Sequence, residues 1–197
     1  MSATPPNKRI GIVAVQGAFA RHAEMFRQLG VGTVEVRTPS DLDGVDAVAL
    51  PGGESTTIAK MLRGSGLRDA LAEQLAAGLP AFGTCAGAIL LADEILDPVS
   101  NDDEPLGIVG VAVRRNAFGR QLDSFESDLE VAGLGAEPFR AVFIRAPWFE
   151  NPAVGVEVLA WQNDKAVMVA AGPVLLCTFH PELTGDTRIH EMFLELA

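Results

Sequence analysis

"AFGTCAGAILLA" (Ala81–Ala92) sets one cysteine between two glycines, where an apolar run turns into a helical pattern. A Gly-x-nucleophile-x-Gly stretch between a strand and a helix makes a tight, strained turn. Its small neighbours let the backbone pass closely, and the nucleophile projects from the tip at a helix N-terminus. There the helix dipole favours a thiolate, the reactive form of cysteine. The amide of the next residue, Ala86, can face a developing oxyanion. Taken alone, the stretch is equally compatible with Cys85 as a small buried hydrophobe.

Working outward, "LPAFG" (Leu79–Gly83) is a predicted strand and "CAGAILLADEIL" (Cys85–Leu96) a predicted helix. Upstream, "RIGIVAV" (Arg9–Val15), "GTVEVR" (Gly32–Arg37) and "DAVALPGG" (Asp46–Gly53) read as strands. Between them "AFARHAEMFRQLG" (Ala18–Gly30) has apolar residues at helical spacing and Gly30 as a stop. "STTIAKMLRGSG" (Ser55–Gly66) and "LRDALAEQLAAG" (Leu67–Gly78) also read as helices, with Ser55, Thr56 or Thr57 as the first cap. Strands alternating with helices predict a parallel sheet covered on both faces.

"DPVSNDDEP" (Asp97–Pro105) breaks that alternation. "IVGVAV", "SDLEV", "AVFIRA", "VEVLAW", "AVMVAA" and "VLLCTF" follow as strand-like segments, with "WQNDKAV" supplying a hairpin turn and "TRIHEMFLELA" a final amphipathic helix. The expected fold is an α/β three-layer sandwich with a mixed, largely parallel central sheet.

The 197 residues and 48% hydrophobic content suit one domain spanning 1–197, with 1–8 as a short flexible lead. The formal net charge of -11 disfavours binding to nucleic acid. No apolar run is long enough to cross a bilayer, and "MSATPPNKR" has no signal-type hydrophobic stretch. Two cysteines make no disulfide framework, so both are expected as free thiols in the cytoplasm. The few histidines and cysteines show no metal-ligand spacing, and no cofactor is expected.

In an open α/β sheet, ligands gather at the carboxyl ends of the strands. A thiol nucleophile needs a base, and there are three histidines. His22 and His190 fall within predicted helices and read as half-exposed helix residues. His180 follows the strand "VLLCTF" and precedes Pro181, with Glu182 two residues on. In extended geometry that spacing puts both side chains on one side, so Glu182 can hold the imidazole in one tautomer. Cys177, inside the apolar strand, reads as quiet core. "PGGES" (Pro51–Ser55) offers backbone N–H groups for an oxyanion hole, or simply a capped turn.

Together "PGGEST", "FGTCAG" and "FHPE" resemble the class I glutamine amidotransferases, whose sheet is flavodoxin-like. "VQGAFARH", "RNAFGRQLDSFE" (Arg115–Glu126), "VFIRAPW" (Val142–Trp148) and "FHPELTGD" narrow the likeness to the glutaminase subunits of pyridoxal 5'-phosphate synthases, over nearly the whole chain. The resemblance implies hydrolysis of L-glutamine to glutamate and ammonia, with Cys85 attacking, His180 moving the proton and Glu182 orienting His180. It implies substrate contacts at Gly53, Glu54, Ser55, Arg115, Ile144 and Arg145, and an oxyanion hole from Gly53 and Ala86. Arginine suits a carboxylate, which it grips with two hydrogen bonds.

It also implies a partner, a synthase subunit built as a (β/α)₈ barrel that receives the ammonia, with Gln16 at the contact. Ala117 departs from the pattern, standing where many relatives carry serine. A glutaminase serving another synthase, or a non-catalytic regulatory subunit, are the competing readings. The intact Cys85, His180 and Glu182 set weighs against the latter.

Overall fold

The computed structural model describes residues 8–98, 104–115 and 124–197. Residues 1–7 of the expected lead, the centre of the break after Asp97, and positions 116–123 with Ala117 lie outside the described residues.

Twelve strands are described: β1 (Arg9–Val13), β2 (Gly32–Val36), β3 (Ala47–Leu50), β4 (Ala81–Thr84), β5 (Ala92–Ile95), β6 (Val109–Arg114), β7 (Ser124–Leu129), β8 (Phe139–Ile144), β9 (Trp148–Glu150), β10 (Glu157–Gln162), β11 (Lys165–Ala171) and β12 (Val174–Cys177). The helices are α1 (Phe19–Gln28), α2 (Ser55–Ser65), α3 (Leu67–Ala76), α4 (Ala86–Leu91) and α5 (Arg188–Leu196). A mixed sheet runs β2-β1-β3-β4-β12-β11-β9-β6-β5, with β10 paired to β11, while β7 and β8 form a separate antiparallel pair. The half around β1, β3, β4 and β12 is parallel; from β12 through β11 and β9 to β6 the pairs are antiparallel, and β6 pairs with β5 in parallel at the far edge.

Alternation along each strand divides the apolar residues between two cores. On β3, Val48 and Leu50 join the core under α2, α3 and α4, beside Ile58, Leu62, Leu67 and Leu71. Ala47 and Ala49 face the other core, where Phe26 of α1, Ile189 and Phe193 of α5, and Phe139 and Phe143 of β8 pack together. These are the two outer layers of the expected sandwich.

Three local expectations change. The helix expected over Cys85–Leu96 stops at Leu91, and Ala92–Ile95 pairs in parallel with β6. The next strand in the chain supplies that pairing, and it overrides the helical propensity of "LLADEIL". The cap of α2 is not Ser55, Thr56 or Thr57. The Glu54 carboxylate accepts from the amides of Thr56 (3.2 Å) and Thr57 (2.7 Å). The short strand β9 has no counterpart among the expected segments; three residues carry too little pattern to read.

Candidate active site

β3, β4 and β12 lie side by side and parallel, so the residues following them share one edge of the sheet. Thr84 and Cys177 are register partners, and the Cys85 amide donates to the Cys177 carbonyl at 2.9 Å. Cys85 therefore sits one step past β4, and His180 three steps past β12. The His180 amide is tied in turn to the Val142 carbonyl of β8, at 2.8 Å.

Cys85 turns the chain from β4 into α4 at φ 48° and ψ -104°. A side chain at positive φ is strained, and such strain concentrates at functional sites. Among the described residues, four non-glycines have this conformation: Cys85, Arg145, Asn151 and Asn163. Asparagine tolerates it readily. The other two, Cys85 and Arg145, line the same pocket.

The Nδ1 of His180 lies 2.7 Å from Oε1 of Glu182. Residues 181–183 form a 3-10 turn, not the extended segment expected, so the turn itself folds Glu182 back onto His180. Burial alone would lower the His180 imidazole. Hydrogen bonds to Cys85 and Glu182, with their negative charge, outweigh it and push the value up to about 10. An imidazolium beside a cysteine favours the thiolate, which is the nucleophile. Burial would raise the Glu182 carboxyl, but His22 and His180 hold it below the usual range.

Gly52 packs directly against this pair. A Cβ added there would lie 2.4 Å from Cε1 of His180 and 3.2 Å from Cβ of Cys85. Gly87 meets a second close approach, where an added Cβ would fall 1.8 Å from the Leu50 carbonyl oxygen. The absence of a side chain at Gly87 thus lets α4 lie down on the end of β3.

The pocket beside Cys85 is lined by Gly53, Glu54, Ser55, Ile89, Arg115, Ile144 and Arg145. All six residues expected at the substrate are brought together here, from the β3–α2 turn and the ends of β6 and β8. Ile89 adds an apolar wall that the sequence reading does not single out. Ala86 opens α4 directly after the cysteine. The side-chain oxygen of Gln16 accepts from the Glu54 amide at 3.0 Å, so Gln16 is joined to the same turn.

Two histidines depart from expectation. His22 and His190 are fully buried, not half-exposed. The helix spacing carried the signal. His22 shares its face with Met25 and Phe26, and His190 shares its face with Phe193 and Leu194. Position i with i+3 and i+4 is the core-facing stripe. Cys177 is buried core as expected; burial, then the Glu182 charge, pushes its thiol well above the usual range. Among the described residues, no group of three or more His, Cys, Asp or Glu is placed to hold a metal ion. No helix there is long and apolar enough to cross a membrane.

Comparison with known proteins gives the family and the fold. The chain is 53% identical over 190 residues to the pyridoxal 5'-phosphate synthase subunit PdxT of Thermus thermophilus, covering 95% of this chain and 97% of that protein. It is 50% identical over 188 residues to the subunit of the same name from Carboxydothermus hydrogenoformans, covering 95% and 96%. A crystal structure of a glutamine amidotransferase, 49% identical, superposes with a TM-score of 0.88 over 95% of this chain and 97% of that one. A glutamine amidotransferase from Thermotoga maritima, 17% identical with a TM-score of 0.62 over 97% and 84% of the two chains, shares the fold. With the family model matching residues 12–197, the chain belongs to the SNO glutamine amidotransferase family.

Proposed function

We propose that this chain is the glutaminase subunit of a pyridoxal 5'-phosphate synthase, and that Cys85, His180 and Glu182 carry its chemistry. The observation that carries the reading is the strained Cys85 elbow set against a His180 imidazole held by Glu182 at 2.7 Å. The relatives named for that synthase supply the biological setting.

The Cys85 thiolate attacks the side-chain amide carbon of L-glutamine. The amides of Gly53 and Ala86 receive the negative oxygen of the tetrahedral intermediate. His180 gives its proton to the amide nitrogen, the C–N bond breaks, and ammonia leaves a glutamyl thioester. Water then attacks the thioester, loses its proton to His180, and releases glutamate with the thiolate restored. Glu182 keeps the imidazole in one tautomer through both half-reactions. Arg115 and Arg145 grip the α-carboxylate, while Gly53, Glu54, Ser55 and Ile144 shape the rest of the pocket. The Glu54 carboxylate caps α2, its amide donates to Gln16 and its carbonyl accepts from Ile58, so Glu54 shapes the pocket wall by fixing the turn.

Ammonia passes to the synthase subunit, read as a (β/α)₈ barrel, and docking involves Gln16. The cytoplasm is the compartment where free thiols such as Cys85 and Cys177 persist. The decisive assay measures glutamate and ammonia released from glutamine, with and without the synthase subunit. Turnover should be high in the complex and absent in Cys85→Ala. Full turnover by Cys85→Ala would end this reading.

A further inference from the structure

His22 of α1 and His190 of α5 come from opposite ends of the chain and meet behind Glu182. Both are fully buried, against the rings of Phe26 and Phe82. Polar groups in such surroundings need partners. Nδ1 of His22 lies 3.0 Å from Nε2 of His190. Nε2 of His22 lies 3.1 Å from Oγ1 of Thr84 and 3.4 Å from Oε2 of Glu182. Thr84 Oγ1 in turn accepts from the Gly52 amide at 3.0 Å. Among the described residues, Oε2 of Glu182 and Nδ1 of His190 have no hydrogen-bond partner.

The protons can be placed from these contacts. If His22 were protonated on Nδ1, its Nε2 lone pair would face a carboxylate oxygen. His190 would then accept on Nε2 and bury an orphan N–H on Nδ1. With the proton on Nε2, His22 donates to Thr84 and holds that N–H 3.4 Å from Oε2 of Glu182, an electrostatic contact short of a hydrogen bond. His190 then donates from Nε2, its unpartnered Nδ1 is a lone pair, and the stranded donor is the Thr84 hydroxyl. Each arrangement leaves one donor over, and the Glu182 carboxylate decides between them, since it repels a lone pair and attracts an N–H. The second arrangement also supplies the one donor facing Oε2 of Glu182.

We propose that His22, met on its other nitrogen by His190, is a positioning residue that holds Glu182 behind His180 and, through Thr84, holds Gly52 beside Cys85. This rests on reading Cys85, His180 and Glu182 as the triad. Thr84 accepts from both His22 and Gly52, so one imidazole joins the carboxylate end of the site to the turn beside the nucleophile. Glu182 is faced by His180 from its own turn, by His22 from α1 and by the Cys177 thiol from β12. His22 is faced by Glu182, His180 and His190. Removing an N–H from beside a carboxylate raises the pH at which the carboxylate forms.

The test measures glutamine hydrolysis against pH in the complex with the synthase subunit. His22→Leu should lower kcat roughly 10- to 100-fold, as loss of an outer-shell partner does. Its acid limb should move up by about one pH unit. His22→Gln keeps an N–H near the Nε2 position and should restore most of both. Wild-type kcat and acid limb in His22→Leu would overturn the proposal. So would equal losses in the Leu and Gln variants at every pH. Imidazole ¹⁵N NMR of the wild-type chain decides independently of folding in the variants: a proton on Nε2 of His22 supports the proposal, and one on Nδ1 overturns it. Cys85→Ala, run alongside, separates the two readings. Its continued turnover would remove the triad, whereas unaffected His22 variants beside a dead Cys85→Ala would remove only the role of His22.

Discussion

Thr84 and Cys177 face each other in register on the adjacent parallel strands β4 and β12, although they lie in opposite halves of the sequence. The candidate nucleophile and its imidazole are therefore set by the hydrogen-bond ladder of the sheet, not by the closing of a loop. The ladder extends through the Cys85 amide to Cys177, and this pairing holds the positive φ of Cys85 in place. Strain of that kind persists only where the surroundings over-determine it.

Replacing Cys85 by glycine should expose that strain. Glycine ordinarily destabilises relative to alanine, because the unfolded chain gains freedom. At φ 48° the order should reverse, since only glycine takes this conformation at little cost. Cys85→Gly should be more stable than Cys85→Ala by about 1 kcal/mol or more, both being inactive. Urea denaturation of the two variants measures the difference, and an alanine variant as stable as the glycine one contradicts the strain.

Gly52→Ala should disable the site while leaving the fold largely intact. The new methyl would meet Cε1 of His180 at 2.4 Å, and either the turn or the imidazole must shift. Misplacement of reacting groups by about 1 Å costs on the order of 100-fold in rate. The expected result is a loss of that size in kcat with an unchanged circular dichroism spectrum. Wild-type kcat in Gly52→Ala would show that the imidazole has room the close approach denies.

The elements that carry this site are legible because they depend on local pattern. Short Ile- and Val-rich runs mark β1, β3 and β12, and the glycines around Cys85 mark the elbow. The end of α4 is not legible, because Ala92–Ile95 becomes a strand only through pairing with β6. The cap of α2 is hidden for another reason: the family resemblance points Glu54 at substrate, yet its carboxylate faces the helix amides. His22 and His190 show a different failure. Their spacing to Met25, Phe26, Phe193 and Leu194 announces burial, but the prior for histidine favours exposure. What one sequence cannot display is that His22, from a distant helix, shares the Glu182 carboxylate with His180 and is met in turn by His190.

Arg145→Ala and Arg115→Ala should act on binding more than on chemistry. A charge-assisted hydrogen bond to a carboxylate is worth about 1.5–3 kcal/mol, so each substitution should raise KM roughly 10- to 100-fold. The α-carboxylate is held alike before and during reaction, so kcat should stay close to wild type. A lysine ammonium lacks the planar fork of a guanidinium, so Arg145→Lys should recover only part of the affinity. Steady-state kinetics on the complex test this; a fall in kcat at constant KM would place these side chains at the reacting amide instead.

The buried histidines give the fold a pH dependence with opposite signs on its two sides. His180 has a folded value of about 10, against about 6.5 for an exposed imidazole. In the proposed site that imidazolium is paired with the Cys85 thiolate, while the unfolded chain carries a neutral imidazole and a thiol, so both states hold one proton up to pH ~8.5. Above that the folded chain holds the extra proton, and this contribution to stability disappears as pH rises toward ~10. Burial lowers His22, and burial together with His22 lowers His190. Below pH ~6.5 the unfolded chain takes up protons that the folded chain refuses, so stability falls with acid. Glu182, itself held low, adds to that loss as pH falls through its folded value. The urea midpoint should thus decline on both sides of neutrality. His190→Phe should flatten the acid side, since it removes one of the two imidazoles that must stay neutral. A wild-type midpoint that is constant between pH 7 and pH 5 would contradict the burial of two uncharged histidines.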